Sequence, residues 1–248
     1  MKKVIIFTSN NFSLKVLSKI NKKLLKKLEI SIVTNNFLDY KTEKYYENKI
    51  YKCDLLVSIG FTEKIKLSNI SSTFGSFNIH QSILPEYRGR HPVQAMIING
   101  ETKYGCTLHV LDDGFDTGNI VKYKTKLFKS VPNEFTIRKL IINQSAYLLE
   151  YLLSNFEKGF NTKKQKGTAQ NLAPRRTPED SLITPNLNYE KIKNMTKALM
   201  SSEYRPFIIV NTQKVYIKDI FLYNLKNKNL IEYKLDSRKV YLEKYNKK

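Results

Sequence analysis

At 248 residues the chain is long enough to bury a full α/β core plus a smaller unit. It holds no apolar run near the roughly 18 residues that span a bilayer, and only Val4–Phe7 behind Met1-Lys2-Lys3, so it reads as a cytoplasmic protein with neither signal peptide nor membrane insertion. Its two cysteines, Cys53 and Cys106, match no zinc or redox spacing and are not clustered with the three histidines, which argues against a disulfide framework and against a metal site, while the net charge of +21 comes from 36 Lys and 7 Arg scattered among Asn and Ile and reads as a solvated lysine surface, with attraction of anionic substrates or polymers left open.

In chain order, Val4–Phe7 reads as a first strand, closed by Thr8-Ser9-Asn10-Asn11 and followed by Leu14, Leu17 and Ile20 at helical spacing. Ile30–Val33 reads as a second strand, the polar and aromatic segment Asp39–Lys49 as a candidate helix, and Asp54–Gly60 as a third strand. This alternation predicts a Rossmann-like α/β fold, a mostly parallel sheet with helices on both faces, in which ligands gather at the carboxyl ends of strands. Asn10, at the end of the first strand, is therefore a candidate substrate contact. Ser76–His80 follows as a strand, Pro92–Asn99 as a short helix, Cys106–Leu111 as an alternating strand and Ile120–Leu127 as another. Pro132–Phe156 is the longest helical pattern, with Leu140, Ile141, Leu148, Leu149, Leu152 and Leu153 as its apolar stripe. After the lysine-rich Gly159–Thr168 come a helix at Tyr189–Leu199, a hairpin of Phe207–Val210 with Val215–Tyr223, and an alternating pair, Leu230–Leu235 and Val240–Tyr245. The expected organisation is a catalytic domain over 1–160, a linker and substrate loop over 161–185, and a small C-terminal β-rich unit, a helix plus hairpins, over 186–248.

The chemistry concentrates in Phe77-Asn78-Ile79-His80-Gln81-Ser82 and in Leu111-Asp112-Asp113-Gly114-Phe115-Asp116-Thr117-Gly118. On a strand the side-chain period of two puts Asn78 and His80 on one face. An amide that donates to an oxyanion beside an imidazole that moves a proton is the minimal equipment for transfer of a small acyl group. Asp116, between two glycines that bend the backbone, would orient the imidazole and raise its pKa, or itself take the proton. Which of His80 and Asp116 is the base stays open. His91, in an Arg-x-His-Pro loop, suits either substrate contact or a helix cap; His109 reads as structural, and Asp112 and Asp113 as turn formers.

With these residues in place, the segment Asn78–Ile120 resembles the core of the folate-dependent formyltransferase family. Asn78 and His80 match that family's Asn-x-His, and Asp116 matches the Asp of its Asp-x-Gly turn. Ser82-Ile83-Leu84-Pro85-Glu86-Tyr87-Arg88-Gly89, Asn99-Gly100-Glu101 and Gly105-Cys106-Thr107-Leu108-His109 match between them. The resemblance implies formyl transfer from 10-formyltetrahydrofolate to an amine, with catalytic Asn78, His80 and Asp116. It implies that the turn at Asp112 and Asp113 binds the pterin and that Ile83 and Leu84 line its apolar side. No Gly-rich phosphate loop is present, so folate rather than a nicotinamide or ATP is the implied cofactor, with no metal.

Three features bear on the acceptor. Tyr87-Arg88-Gly89 departs from the Phe-Pro-Gly of enzymes that formylate glycinamide ribonucleotide. Arg88-Gly89-Arg90-His91-Pro92 departs from the Arg-Gly-Ala-Ala-Pro of transfer-RNA formyltransferases, and residues 186–248 are short for the β-barrel those enzymes add. Arg175-Arg176-Thr177-Pro178-Glu179-Asp180-Ser181 is similar to a loop in enzymes that formylate amino sugars carried on nucleotides; its arginines either grip a pyrophosphate or pair with Glu179 and Asp180. The resemblance therefore points to a nucleotide-sugar N-formyltransferase of O-antigen or capsule synthesis, with dTDP-4-amino-4,6-dideoxyglucose as acceptor and Asn10, Tyr87, Arg88, Arg90, His91, Arg175 and Arg176 as substrate contacts. Its partners are then the nucleotide-linked amino sugar, not nucleic acid, and a second copy joined as a homodimer through the C-terminal β unit. The alternatives are a methionyl-tRNA formyltransferase with a truncated C-terminal domain, and a catalytically inactive basic binding protein of the same fold.

Overall fold

The computed structural model describes residues 1–9, 11–35, 42–226, 229–235 and 238–245. They divide into two compact units: residues 1–92, 104–126 and 139–173, and residues 93–103, 127–138 and 174–248.

The first unit is built on a seven-stranded sheet. Its first strand, β1 (Lys2–Thr8), follows the apolar run Val4–Phe7, all four of whose side chains are buried. Two short helices, α1 (Phe12–Leu17) and α2 (Lys22–Leu25), lead to β2 (Leu28–Thr34), which pairs parallel to β1 with Val4 opposite Ile30. In chain order then come β3 (Glu43–Lys44), β4 (Tyr51–Cys53), β5 (Leu55–Ser58), β6 (Ile70–Ser72), β7 (Ser76–His80), β8 (Arg88–Gly89), α3 (Pro92–Ile98), β9 (Lys103–Val110), β10 (Ile120–Leu127), α4 (Glu134–Asn155) and β11 (Leu172–Ala173), of which α3 from Val93 on and α4 up to Arg138 count with the second unit. The sheet order is β10-β9-β7-β5-β1-β2-β3, with β1, β2, β3, β5 and β7 mutually parallel and β9 antiparallel to β7. The chain runs outward from β1 on one side and resumes on the other, which is the doubly wound pattern expected from the sequence. The short strands β8 and β11 pair parallel to each other.

Three expectations are corrected. Residues 42–49 are not helical: Glu43–Lys44 extends the sheet, and Tyr45 leaves it to stack on Tyr51 at 5.9 Å and to meet Phe7 edge-on at 5.6 Å. Burial of aromatic rings against β1 outweighs the weak local helical pattern; residues 39–41 lie outside the described residues. Nor does β9 alternate, since Tyr104 through His109 are all buried, as suits a strand flanked by β7 and β10. The long helix begins at Glu134 rather than Pro132, because the Asn133 side chain accepts from Thr136 N at 3.0 Å and caps it. Burial pushes the Cys53 thiol up to about 11 and Cys106 up to about 12, so both are neutral thiols at physiological pH.

In the second unit, α5 (Tyr189–Ala198) is capped by Asn188, which accepts from Lys191 N at 2.8 Å, and buries Ile192 and Met195. Four antiparallel strands follow: β12 (Phe207–Val210), β13 (Gln213–Phe221), β14 (Leu230–Leu235) and β15 (Arg238–Lys244), in the order β12-β13-β15-β14. The first hairpin turns on Asn211 and Thr212, both at positive φ (46° and 65°), the left-handed pair that a two-residue connection demands. The carboxylate of Glu134 is buried and fully engaged, accepting from Gln94 Nε2 at 3.1 Å, Arg138 Nη2 at 2.5 Å and Met200 N at 3.1 Å. Among the described residues no helix is long and apolar enough to cross a membrane.

Candidate active site

All the groups of the site described here belong to the first unit. β7 carries Asn78 and His80 to its carboxyl end, and the antiparallel register of β7 with β9 sets Asn78 opposite His109 and His80 opposite Thr107. The turn after β9 returns Asp116 over the same face. Asn78 Nδ2 donates to Asp116 Oδ1 at 3.0 Å, and His80 Nδ1 stands 3.4 Å from that same oxygen. Of the three side chains that the sequence nominated, two converge on the carboxylate of the third.

Asp116 has a φ of +56°, a left-handed backbone that costs a non-glycine residue roughly 1 kcal/mol or more. Its second oxygen, Oδ2, accepts the Gly89 backbone N–H at 3.0 Å. Gly118 closes the turn where a Cβ would lie 1.8 Å from the Val110 carbonyl oxygen, so no side chain fits there. Thr117 Oγ1 donates to both oxygens of Asp112 at 2.8 Å, which gives Asp112 a turn-forming role, while Asp113 is exposed.

The imidazoles take defined tautomers from their partners. His80 Nε2 donates to the Tyr87 carbonyl at 2.8 Å, leaving Nδ1 toward Asp116. His109 Nδ1 donates to the Val110 carbonyl at 2.9 Å, so its Nε2 accepts from Asn78 Nδ2 at 3.1 Å. Both N–H bonds of the Asn78 amide are thus engaged, one by a carboxylate and one by an imidazole.

His80 and His109 are 7% and 1% exposed and Asp116 15%, so water screens these groups little. Burial pushes the His80 pKa below its ordinary value, against the opposite pull of the Asp116 carboxylate and the Tyr87 carbonyl. Burial alone would raise Asp116; the His80 and His109 imidazoles and the Gly89 N–H together hold it well below the usual carboxylate range. The result is an ionised carboxylate beside an imidazole with a vacant, proton-ready nitrogen.

The remaining nominated residues fall as follows. Leu84 is buried, its N–H on Thr107 Oγ1 at 3.1 Å and its carbonyl on the Tyr123 hydroxyl at 3.2 Å, while Ile83 is half-buried. The Tyr87 ring is buried and its carbonyl is the His80 partner. Arg88 donates to Gln165 Oε1 from Nε and Nη2, at 3.2 and 2.6 Å. Arg90 is exposed and donates to the Thr62 carbonyl; His91 is half-buried. Asn10 lies outside the described residues. In the second unit Arg175 is exposed, and Arg176 donates to the Asp180 carbonyl at 2.7 Å. Asp180 caps Thr177 N at 2.6 Å, and Glu179 pairs with Lys214 at 3.5 Å. Among the described residues no cluster of His, Cys, Asp and Glu forms a metal-binding group.

Two members of the site escaped sequence reasoning. His109 looked structural because its cross-strand partner depends on the β7–β9 register, and a lone Gln165 in a lysine-rich stretch carried no signal.

The fold agrees with what the chain is similar to. Residues 12–130 match the formyl transferase family. A methionyl-tRNA formyltransferase of Kosmotoga olearia is 29% identical over 160 residues, which are 64% of this chain and 51% of that protein. The chain thus spans about half the length of that curated relative. A GDP-perosamine N-formyltransferase of Brucella melitensis is 28% identical over 177 residues, 71% of this chain and 68% of that protein. In fold, the chain superposes on the crystal structure of WlaRD, a sugar 3N-formyl transferase in the presence of dTDP and 5-N-formyl-THF, with a TM-score of 0.73, 23% identity, and coverage of 100% of this chain and 99% of the other.

Proposed function

We propose that this protein moves a formyl group from 10-formyltetrahydrofolate to the amine of a nucleotide-linked amino sugar. The observation that carries the reading is the convergence of Asn78, His80 and Asp116, with an amide nitrogen 3.0 Å and an imidazole nitrogen 3.4 Å from one carboxylate oxygen. The family match over residues 12–130 and the likeness to a GDP-perosamine N-formyltransferase and to a dTDP-bound sugar formyltransferase support it.

In the reaction the amine lone pair attacks the formyl carbon and the carbonyl electrons move onto oxygen. Asn78 gives one of its N–H bonds to that oxygen, trading a present partner for it. The amine proton ends on His80 Nδ1, because a carboxylate held at low pKa is a poor proton holder, and Asp116 pairs with the imidazolium that forms. The C–N10 bond then breaks and the folate nitrogen takes up a proton. Arg175 and Arg176 supply fixed positive charge for a pyrophosphate. Residues 1–160 carry the chemistry, 161–185 a linker and substrate loop, and 186–248 a β unit that pairs with a second copy through exposed Ile209 and Tyr216. An amino-deoxysugar of O-antigen or capsule is the acceptor, with dTDP-4-amino-4,6-dideoxyglucose the first candidate.

The test is incubation with 10-formyltetrahydrofolate and a panel of dTDP-, UDP- and GDP-linked amino sugars, read as tetrahydrofolate release and the mass of the product. Formylation of at least one sugar, abolished by N78A and H80A, supports the reading. Formyl-methionyl-tRNA formation with no sugar turned over defeats it.

A further inference from the structure

The Gln165 side chain is saturated. Its Nε2 donates to the Asp116 carbonyl and to the Gly118 carbonyl, each at 2.8 Å, and its Oε1 accepts from Arg88 Nε and Nη2. One amide therefore spans both ends of the turn that bears the carboxylate and the residue next to Gly89, whose N–H holds Asp116 Oδ2. The backbone on either side is fastened to the same stretch. Glu86 accepts from Gln170 N at 3.1 Å and Asn171 N at 2.9 Å, Tyr87 N donates to the Asn171 carbonyl at 2.8 Å, and Arg90 N donates to the Ala173 carbonyl at 2.7 Å. Gly89 runs so close to this stretch that a Cβ there would sit 2.3 Å from the Ala173 carbonyl oxygen.

A left-handed Asp116 persists only where its surroundings over-determine it, and Gln165 Nε2 holds both the Asp116 carbonyl and the Gly118 carbonyl two residues on. We propose that Gln165 is a positioning residue: it locks the Asp116 turn and the Arg88–Gly89 strand into one frame, so that the carboxylate stays within reach of His80. With both amide protons and the carbonyl committed, it acts through Asp116 rather than on substrate. The proposal rests on Asp116 and His80 being the working pair of the proposed function.

The test combines kinetics with a measurement that needs no substrate. In the ligand-free protein, the titratable and charged groups facing His80 are Asp116, His109 and Arg88. The shift that D116N causes in the His80 imidazole NMR titration measures how firmly the carboxylate addresses it. In a Q165M background that shift is expected to fall to about half or less, and kcat to fall about tenfold or more with both KM values within about twofold. Q165E, which keeps an acceptor for Arg88 but loses both donors, should behave alike and serves where Q165M does not fold. An unchanged D116N shift in the variant overturns the proposal, whatever kcat does. A reduced shift in a protein whose wild type formylates no acceptor leaves the tie standing and removes the proposed function instead.

Discussion

Asn78 and His109 face each other across the antiparallel β7–β9 pair, and the amide of the first gives one proton to Nε2 of the second at 3.1 Å while its other proton goes to Asp116 at 3.0 Å. This double engagement fixes the orientation of the amide, since a flipped Asn78 would aim its oxygen at a carboxylate. An oxyanion formed nearby meets a donor already in place, and only one hydrogen bond needs to be exchanged.

Asn78→Ala removes that donor and is expected to lower kcat by about 10² to 10³ with little change in thermal stability, because the side chain is only half-buried. His109→Ala leaves Asn78 held by Asp116 but takes away its second partner, so a smaller loss, about tenfold, is expected. Steady-state kinetics on the two variants checks the ranking; equal losses would show that His109 does more than aim the amide.

The pH dependence follows from the two perturbed groups. His80 is shifted down by burial, so the neutral imidazole survives below about pH 6.5, and kcat/KM should hold steady there and fall only as pH drops through the lowered value. Asp116→Asn removes the pull that opposes burial, so the acid limb should move to still lower pH even as the rate falls. A limb that moves up instead would put the proton on the wrong residue.

The same groups govern acid stability. Between the folded pKa of His80 and about 6.5 the unfolded chain binds more protons than the native one, so stability declines as pH falls through that window. Asp116 adds a second decline below about pH 4, toward its own depressed value. Melting curves from pH 7 to pH 3 should show both, and Asp116→Asn should abolish only the lower one.

Gly118→Ala sets a methyl 1.8 Å from the Val110 carbonyl oxygen and 2.8 Å from its carbon, backbone atoms that cannot swing aside as the end of a side chain could. Destabilisation of roughly 2 kcal/mol or more is expected, with loss of activity from displacement of Asp116. Denaturant unfolding measures it; a variant as stable as the wild type would mean that the turn has room to relax.

What could be read beforehand was whatever has a local cause. The two-residue spacing of Asn78 and His80 on a strand, the glycines around Asp116, and the hairpin that follows Phe207–Val210, whose second strand begins at Gln213 rather than Val215, are each set by residues close in sequence. His109 and Gln165 depend on contacts 31 and 49 residues distant, and no periodicity announces them. Tyr45 misled for a related reason: its segment has the polar mix of a surface helix, but its ring belongs to the cluster around Phe7, which forms only once β1 and β5 are side by side. Arg88 looked like a cation awaiting an anion, and the stretch that occupies it lies 77 residues on.

Arg175 and Arg176 separate by the same reasoning. Arg175 is exposed, whereas Arg176 is tied to the Asp180 carbonyl and has its pKa lowered by burial, with Asp180 pulling it back up. If both meet the pyrophosphate of a nucleotide sugar, Arg175→Ala should raise KM for that substrate about tenfold and leave KM for the folate and the melting temperature alone, because an exposed guanidinium has little else to lose. Arg176→Ala should raise the same KM and also lower the melting temperature, since the loop from Thr177 to Ser181 loses an internal partner. Lysine at position 175 should restore part of the affinity as a point charge without the fork, and raised salt should weaken the wild type more than Arg175→Ala. A KM that stays put in Arg175→Ala would assign this loop to structure and leave the pyrophosphate to other cations.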